Sequence, residues 1–452
     1  MQGRGDRVRV QVRLSRSFSL RTTNSHAPAP DSASPRLRSA IATTAGTNIL
    51  AVLLGSVGGI ILARTLGPAA RGDLVVVFQW SAVLSTLACL GITHSTCYWV
   101  SRRRADAGAI LSTATAGGLA SGAALALLGL IIGPYIGRTA SVDRALQAML
   151  LLSPIFIVTG IWTSTLQAVH VRRWNIARSI QPICYFGFIS ALALFGSLTF
   201  TTAVVSIGLG VCSSLFAVAM LRGTGLGALE RPRWDLARPL YSYGARVLLS
   251  NMPLIVNVSL DQLVLSVMPG VSASRLASYA VAVSLTSLAL PLSAAFGAVA
   301  FPRIAATRSE RERRRVERIT IFGAASTASL VIGLVAVSGS WAVPTLFGPG
   351  YGAAVGALWR LAPGTTFLAL NRVMGDLLRG RGHPSAVTFN EAIGAACTVV
   401  LLLILTPRYG INGAAIASSI AYATVFVMMC TTIHRIRRKG TIDEVKEALD
   451  VG

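Results

Sequence analysis

The sequence has 452 residues, of which 53% are hydrophobic and 13% charged, with 41 Lys and Arg against 17 Asp and Glu. Soluble globular domains carry about 25% charged residues, so a mean hydropathy of +0.63 over this length excludes a chain that buries one core in water. The net charge of +24 does not signal nucleic-acid binding either, because the basic residues fall in short gaps between apolar runs and form no basic face.

Residues 1–37, together with Arg38, hold eight arginines and no apolar stretch. That pattern is not a secretory signal and predicts a disordered cytoplasmic tail. Apolar runs follow at 40–63, 74–100, 107–133, 146–169, 178–198 and 203–221. After a polar stretch at 222–239 they resume at 240–267, 276–300, 319–346, 353–378, 385–405 and 411–433. Runs of roughly 18 or more apolar residues read as membrane spans. The predicted fold is therefore all-α: a polytopic membrane protein of about 12 transmembrane helices. Its halves are an N-terminal six-helix lobe (38–221) and a C-terminal six-helix lobe (240–434), joined by a cytoplasmic linker (222–239) and followed by a tail (435–452). Both halves open alike, with a helix, an outside turn and a second helix that ends at arginine. Parallel repeats of this kind enclose a cavity between them.

Taken alternately from the N-terminal tail, the connections hold 32 basic residues on one side and 6 on the other. Basic loops stay in the cytoplasm, which places both termini there and the chain in the cytoplasmic membrane as a multi-pass protein. The longest connections are about 18 residues, too short for an extramembrane catalytic domain. There is no Gly-rich loop followed by Lys-Ser/Thr, no nucleophile motif and no metal-ligand spacing. The six cysteines all lie in apolar runs and read as small hydrophobes. The expectation is a transporter with no cofactor and no metal, not an enzyme.

Three blocks carry a resemblance. The first is Ile61-Leu62-Ala63-Arg64-Thr65-Leu66-Gly67-Pro68 with Gly72, then Leu90-Gly91-Ile92. The second runs from Tyr243-Gly244 through Asp261-Gln262-Leu263-Val264-Leu265 and Tyr279-Ala280-Val281-Ala282 to Phe301-Pro302-Arg303. The third is Leu346-Phe347-Gly348-Pro349-Gly350-Tyr351, then Gly380-Arg381-Gly382 and Tyr409-Gly410-Ile411-Asn412-Gly413. In order and spacing they resemble the polysaccharide-exporter branch of the multidrug/oligosaccharidyl-lipid/polysaccharide (MOP) superfamily. That branch includes lipid-linked oligosaccharide flippases. The sequence departs from the family at Arg71, where an aromatic residue is common. It departs also in its first span, which offers Thr43, Thr44, Thr47 and Asn48 but no charge.

The resemblance implies a flippase that moves a polyprenyl-diphosphate-linked oligosaccharide to the outer leaflet by alternating access, for cell-surface polysaccharide export. Its partners would be that lipid-linked saccharide, membrane lipids and glycosyltransferases or a polymerase of the same pathway. A cation-coupled multidrug antiporter of the same superfamily and a non-transporting scaffold for glycan assembly are the alternatives.

Ionisable residues inside spans mark pathways or partners. In the seventh span Arg246, Ser250, Asn257 and Asp261 fall within one sector of a helix. The stripe is expected to line the cavity: Arg246 on the diphosphate, Asn257 on sugar hydroxyls, Asp261 on a coupling cation or proton. Snorkelling to headgroups is the competing reading for Arg246, and a helix-end position at the outer interface for Asp261. Arg372 and Asp376, four residues apart, suggest a local ion pair; Glu391 is the other candidate partner for Arg372. His94, Gln167 and His170 read as interfacial hydrogen-bonding groups, and the tryptophans as an aromatic belt.

Overall fold

The structure is a computed structural model that describes residues 35–222, 230–307 and 309–450. The tail expected at 1–37 lies outside these residues except for its last three, which begin the first helix, and so does 223–229 of the expected linker. The first half comprises α1 (Pro35–Ala88), α2 (Ile92–Arg102), α3 (Ala107–Ile136), α4 (Ala140–Leu151), α5 (Ser153–Val169), α6 (Val171–Leu194) and α7 (Phe200–Arg222). The second comprises α8 (Trp234–Val267), α9 (Ala273–Thr286), α10 (Ala289–Ala306), α11 (Glu310–Phe347), α12 (Ala353–Gly380) and α13 (Pro384–Asp450). No strand occurs among the described residues.

Among the described residues nine helical segments are long and apolar enough to cross a membrane, or ten when α4 and α5, bent by 41°, count as one. Two of these are too long for a single crossing. A helix rises about 1.5 Å per residue against roughly 30 Å of hydrocarbon, yet Gly46–Ala88 has 43 residues and Pro384–Arg438 has 55. Both are broken at a glycine of positive φ, Gly67 (73°) and Gly410 (56°). A side chain would strain that backbone. Divided there, the ten segments give twelve crossings. The turns expected around 64–73 and 406–410 thus shrink to one glycine each, because helix continues on both sides.

The helices gather into two bundles, and α8 passes between them. Its first half packs on α2 and α3 of the first bundle, its second half on α13 and α9. The approach to α2 is backbone on backbone: a Cβ on Gly91 would lie 2.2 Å from the Gly244 carbonyl oxygen. Beside it the Ser95 hydroxyl donates to the Leu240 carbonyl at 2.7 Å, and the Tyr98 and Tyr243 rings stack at 4.3 Å.

At the end of the molecule remote from the chain termini, polar groups join the bundles. Arg138, in the α3–α4 turn, donates to the carbonyls of Leu265 (2.7 Å), Ser266 (2.7 Å) and Val271 (2.6 Å). These belong to the last turn of α8 and its exit, where carbonyls lack helical partners. Trp80 donates to Ser266 Oγ at 2.8 Å, and Arg64 donates to the carbonyls of Leu346 (2.8 Å) and Thr345.

At the opposite end, the second bundle is tied by charge. Arg381, between α12 and α13, reaches Glu317 and also Glu310 (2.9 and 3.1 Å); Arg437 reaches Glu317 at 2.6 and 2.9 Å. The side chains of Glu317 and Arg381 are 0% and 2% exposed. Burial opposes the charge on Arg381, but the two carboxylates outweigh it and hold its pKa above the ordinary value. Removing one partner from a buried ion pair costs about 3–5 kcal/mol. Glu317→Gln is expected to lower the unfolding temperature in detergent by several degrees, read by thermal unfolding. Arg138→Ala removes three bonds at the other end. Spin labels at Ala69 and Pro349 should then separate by several ångström, read by pulsed electron resonance; an unchanged distance would show that Arg138 does not hold the bundles together.

Candidate functional site

A hollow lies between the first bundle and the middle of α8. It has two connected chambers that share Thr93, His94, Phe156 and Gly160. One, of about 300 Å³, carries most of the polar residues and is lined by Thr159, Thr163, Ser164, Gln167, Trp174, Arg178, Gln181 and Ser214 besides the shared residues. The other, of about 470 Å³, is mostly apolar, with Leu248, Asn251, Leu254 and Ile255 of α8 forming one wall. Neither lining contains an Asp or Glu. Gln167 and Trp174 are near helix ends on the terminus-bearing side, so the hollow lies toward that side and the polar seal toward the other.

Arg178 supplies the charge. The sequence suggested a loop before the fifth span, but α6 begins at Val171 and carries Arg178 two turns inside the helix. Its guanidinium donates to Thr47 Oγ1 (2.9 Å), the Thr44 carbonyl (3.3 Å) and Asn48 Oδ1. It also stacks over Trp174 at 4.3 Å. Asn175, one turn away, donates to Thr44 Oγ1 at 2.9 Å. Neutral oxygens of the uncharged first span, a hydroxyl, a carbonyl and an amide, therefore orient a cation from α6. None of these contacts is a carboxylate, so the positive charge keeps its reach into the hollow. From sequence, His94 and Gln167 read as interfacial and Trp174 as part of an aromatic belt, and Arg178 had no role beyond the count of basic residues that sets orientation. The available signal was Trp174 one turn before Arg178, opposite a first span full of neutral acceptors.

The stripe on α8 is divided by the structure. Arg246 and Ser250 are exposed, and each bonds within its own helix, to the Ser242 carbonyl (3.0 Å) and the Val247 carbonyl (2.8 Å). Asn257 and Asp261 are buried within the second bundle, 1% and 2% exposed. Asn257 donates to Glu391 Oε2 at 2.7 Å and accepts from Thr398 Oγ1 at 3.0 Å. Asp261 accepts from Tyr279 at 2.5 Å and from Ser418 at 3.3 Å. The expectation that the four share one cavity wall is therefore corrected. Packing of α8 on α13 turns Asn257 and Asp261 away from the hollow, and the residues of α8 that line it are Leu248, Asn251, Leu254 and Ile255.

The secondary candidates are also rearranged. Asp376 pairs with Arg379 at 3.0 Å and not with Arg372, because an acid preceding its base along a helix is the better-oriented pair. Glu391 bonds Asn257, and neither carboxylate comes within ion-pair distance of Arg372. The Arg372 Nε is buried with no partner among the described residues.

A family model described as polysaccharide biosynthesis protein matches residues 37–308. A probable low-salt glycan biosynthesis flippase of Haloferax volcanii is 23% identical over 205 residues, 44% of this chain and 43% of that protein. The chain spans less than half the length of the curated relatives it matches. Among solved structures, an inward-facing multidrug resistance MATE family transporter of the MOP superfamily aligns with a TM-score of 0.70 at 15% identity, covering 86% of this chain and 96% of that one. The lipid II flippase MurJ in an inward closed conformation aligns at 0.69 and 12% identity, covering 86% and 87%.

Proposed function

The chain belongs to the polysaccharide biosynthesis protein family, and from that premise we propose that it flips a polyprenyl-diphosphate-linked oligosaccharide across the cytoplasmic membrane by alternating access. One observation carries the reading: the hollow is lined by a guanidinium, an imidazole, hydroxyls and amides, with no carboxylate. A guanidinium recognises phosphate oxygens through paired donors, and sugar hydroxyls exchange hydrogen bonds with Thr, Ser and Gln. The mostly apolar second chamber suits the isoprenoid chain next to the diphosphate.

The same lining disfavours the multidrug antiporter. A lipophilic cation entering a desolvated pocket needs a negative partner, and the hollow offers Arg178 in its place. A scaffold would need no such hollow. Asp261 and Glu391, held by neutral donors inside the second bundle, are the groups we assign to energy coupling by a proton or cation. Glycosyltransferases or a polymerase of the same pathway fit as the suppliers and consumers of such a cargo.

Sidedness follows from the basic loops: both chain ends lie in the cytoplasm, so the hollow faces inward and the Arg138 seal faces out. The N-terminal lobe (38–221) and C-terminal lobe (240–434) would then rock about α8.

A charge-assisted hydrogen bond contributes about 1.5–3 kcal/mol. Arg178→Ala is therefore expected to slow flipping of a fluorescent lipid-linked saccharide in proteoliposomes by about 10- to 100-fold, while Arg178→Lys recovers part of the rate. Wild-type turnover in Arg178→Ala would remove Arg178 from the mechanism. Reporter fusions at each end should both give the cytoplasmic signal; ends on opposite sides would overturn the topology.

A further inference from the structure

Arg178 is not the only cation near this path. Arg71, on the part of α1 that follows the Gly67 break, is half-buried. Its guanidinium lies against the first crossing, with Nη2 3.4 Å from the position a Cβ on Gly59 would take. The Nε is fully enclosed and has no hydrogen-bond partner among the described residues. Tyr185 of α6 is within electrostatic reach of it, and the Tyr185 hydroxyl is likewise enclosed and unpartnered. Tyr351 of the second bundle, whose hydroxyl touches the Ala63 carbonyl at 3.4 Å, is the third group within reach.

Buried polar groups are nearly always paired, because an unmet one forfeits the hydrogen bonds it made in water. Two orphans within electrostatic reach, a guanidinium nitrogen and a hydroxyl, both offer protons to the same kind of acceptor. Their place on the path matters as well. Arg178, Gln181 and Tyr185 follow one another along one face of α6, and the first two line the polar chamber. Tyr185 is the next turn toward the Arg138 seal. A rise of about 1.5 Å per residue puts Arg178 and Tyr185 about 10 Å apart along the helix.

We propose that Arg71 and Tyr185 form a second diphosphate site, beyond the polar chamber and beneath the seal. The diphosphate would pass from Arg178 to Arg71 as the bundles move. Gln181 lies between the two stations, and Tyr351 brings the second bundle to the edge of the second one. The assignment rests on the flippase reading for its cargo, but binding can be measured without transport.

The test is native mass spectrometry of the full chain in detergent, with farnesyl diphosphate as one probe and dioleoyl phosphatidylglycerol as the other. The wild type is expected to take up two farnesyl diphosphates, and Arg71→Gln and Arg178→Gln one each. Tyr185→Phe should weaken the second binding event about tenfold, and Arg71→Lys should keep both. Arg71→Met removes a half-buried cation whose Nε has no partner among the described residues, so the ligand-free variant should unfold at a temperature no lower than wild type. A single site in the wild type, or two in Arg71→Gln, would overturn the proposal. So would a lowered unfolding temperature in Arg71→Met, which marks a structural role, or a second site filled as readily by phosphatidylglycerol, which marks bulk-lipid binding. Loss of the second site in Arg71→Gln in a protein that moves no saccharide would sink the flippase reading and leave the anion site standing.

Discussion

In hydrocarbon, an unmet backbone N–H or C=O costs several kcal/mol, and no water is present to meet it. The architecture answers that constraint. Every described span is helical, and the two longest helices reverse at single glycines, which leaves few groups unpaired. Where helix must stop within the outer part of the molecule, a side chain covers the exposed carbonyls. Arg138 does this for Leu265, Ser266 and Val271. Because Arg138 belongs to the first bundle and those carbonyls to the end of α8 and the turn that follows it, meeting the backbone's needs also closes one end of the molecule.

The bundles use polar groups in opposite ways. In the second, Asn257, Asp261, Glu391, Thr398, Ser418 and Tyr279 are bonded to one another away from the hollow, and the Glu317–Arg381 network ties the near end. In the first, Arg178 is held by neutral oxygens, and Arg71 and Tyr185 have enclosed atoms with no partner among the described residues. A cation braced by carboxylates is a staple. One braced by hydroxyls keeps a field that an anion can neutralise. The second bundle also keeps an enclosed guanidinium nitrogen without a partner among the described residues, Arg372 Nε, but it is the first that presents a guanidinium, Arg178, to the hollow.

Much of this was legible from residues alone. The apolar runs, the arginine-rich gaps and the glycines at 67 and 410 delimit the helices, since hydrophobic length is a local property. The stripe on the seventh span was legible as a stripe but misassigned as a cavity wall. Helical periodicity reports which residues share a face, and it is silent on what that face meets. Asn257 and Asp261 meet α13 and α9; residues a step around the helix, such as Leu248 and Asn251, meet the hollow. Arg178 stood at the very edge of the fifth apolar run, because α6 starts earlier than that run does.

The amino-acid order by itself determined a multi-pass helical protein whose two halves begin alike, because burial of apolar length in a membrane requires only the count and spacing of residues along one chain. The tertiary structure alone decided which charges are spent on partners and which stay open. Glu391 turned to Asn257, Asp376 to Arg379, and Arg178 to the Thr44 carbonyl, the Thr47 hydroxyl and the Asn48 amide oxygen, 130 to 134 residues earlier in the chain. Those pairings depend on how whole helices pack, and electrostatics falls off over distances that sequence spacing does not encode.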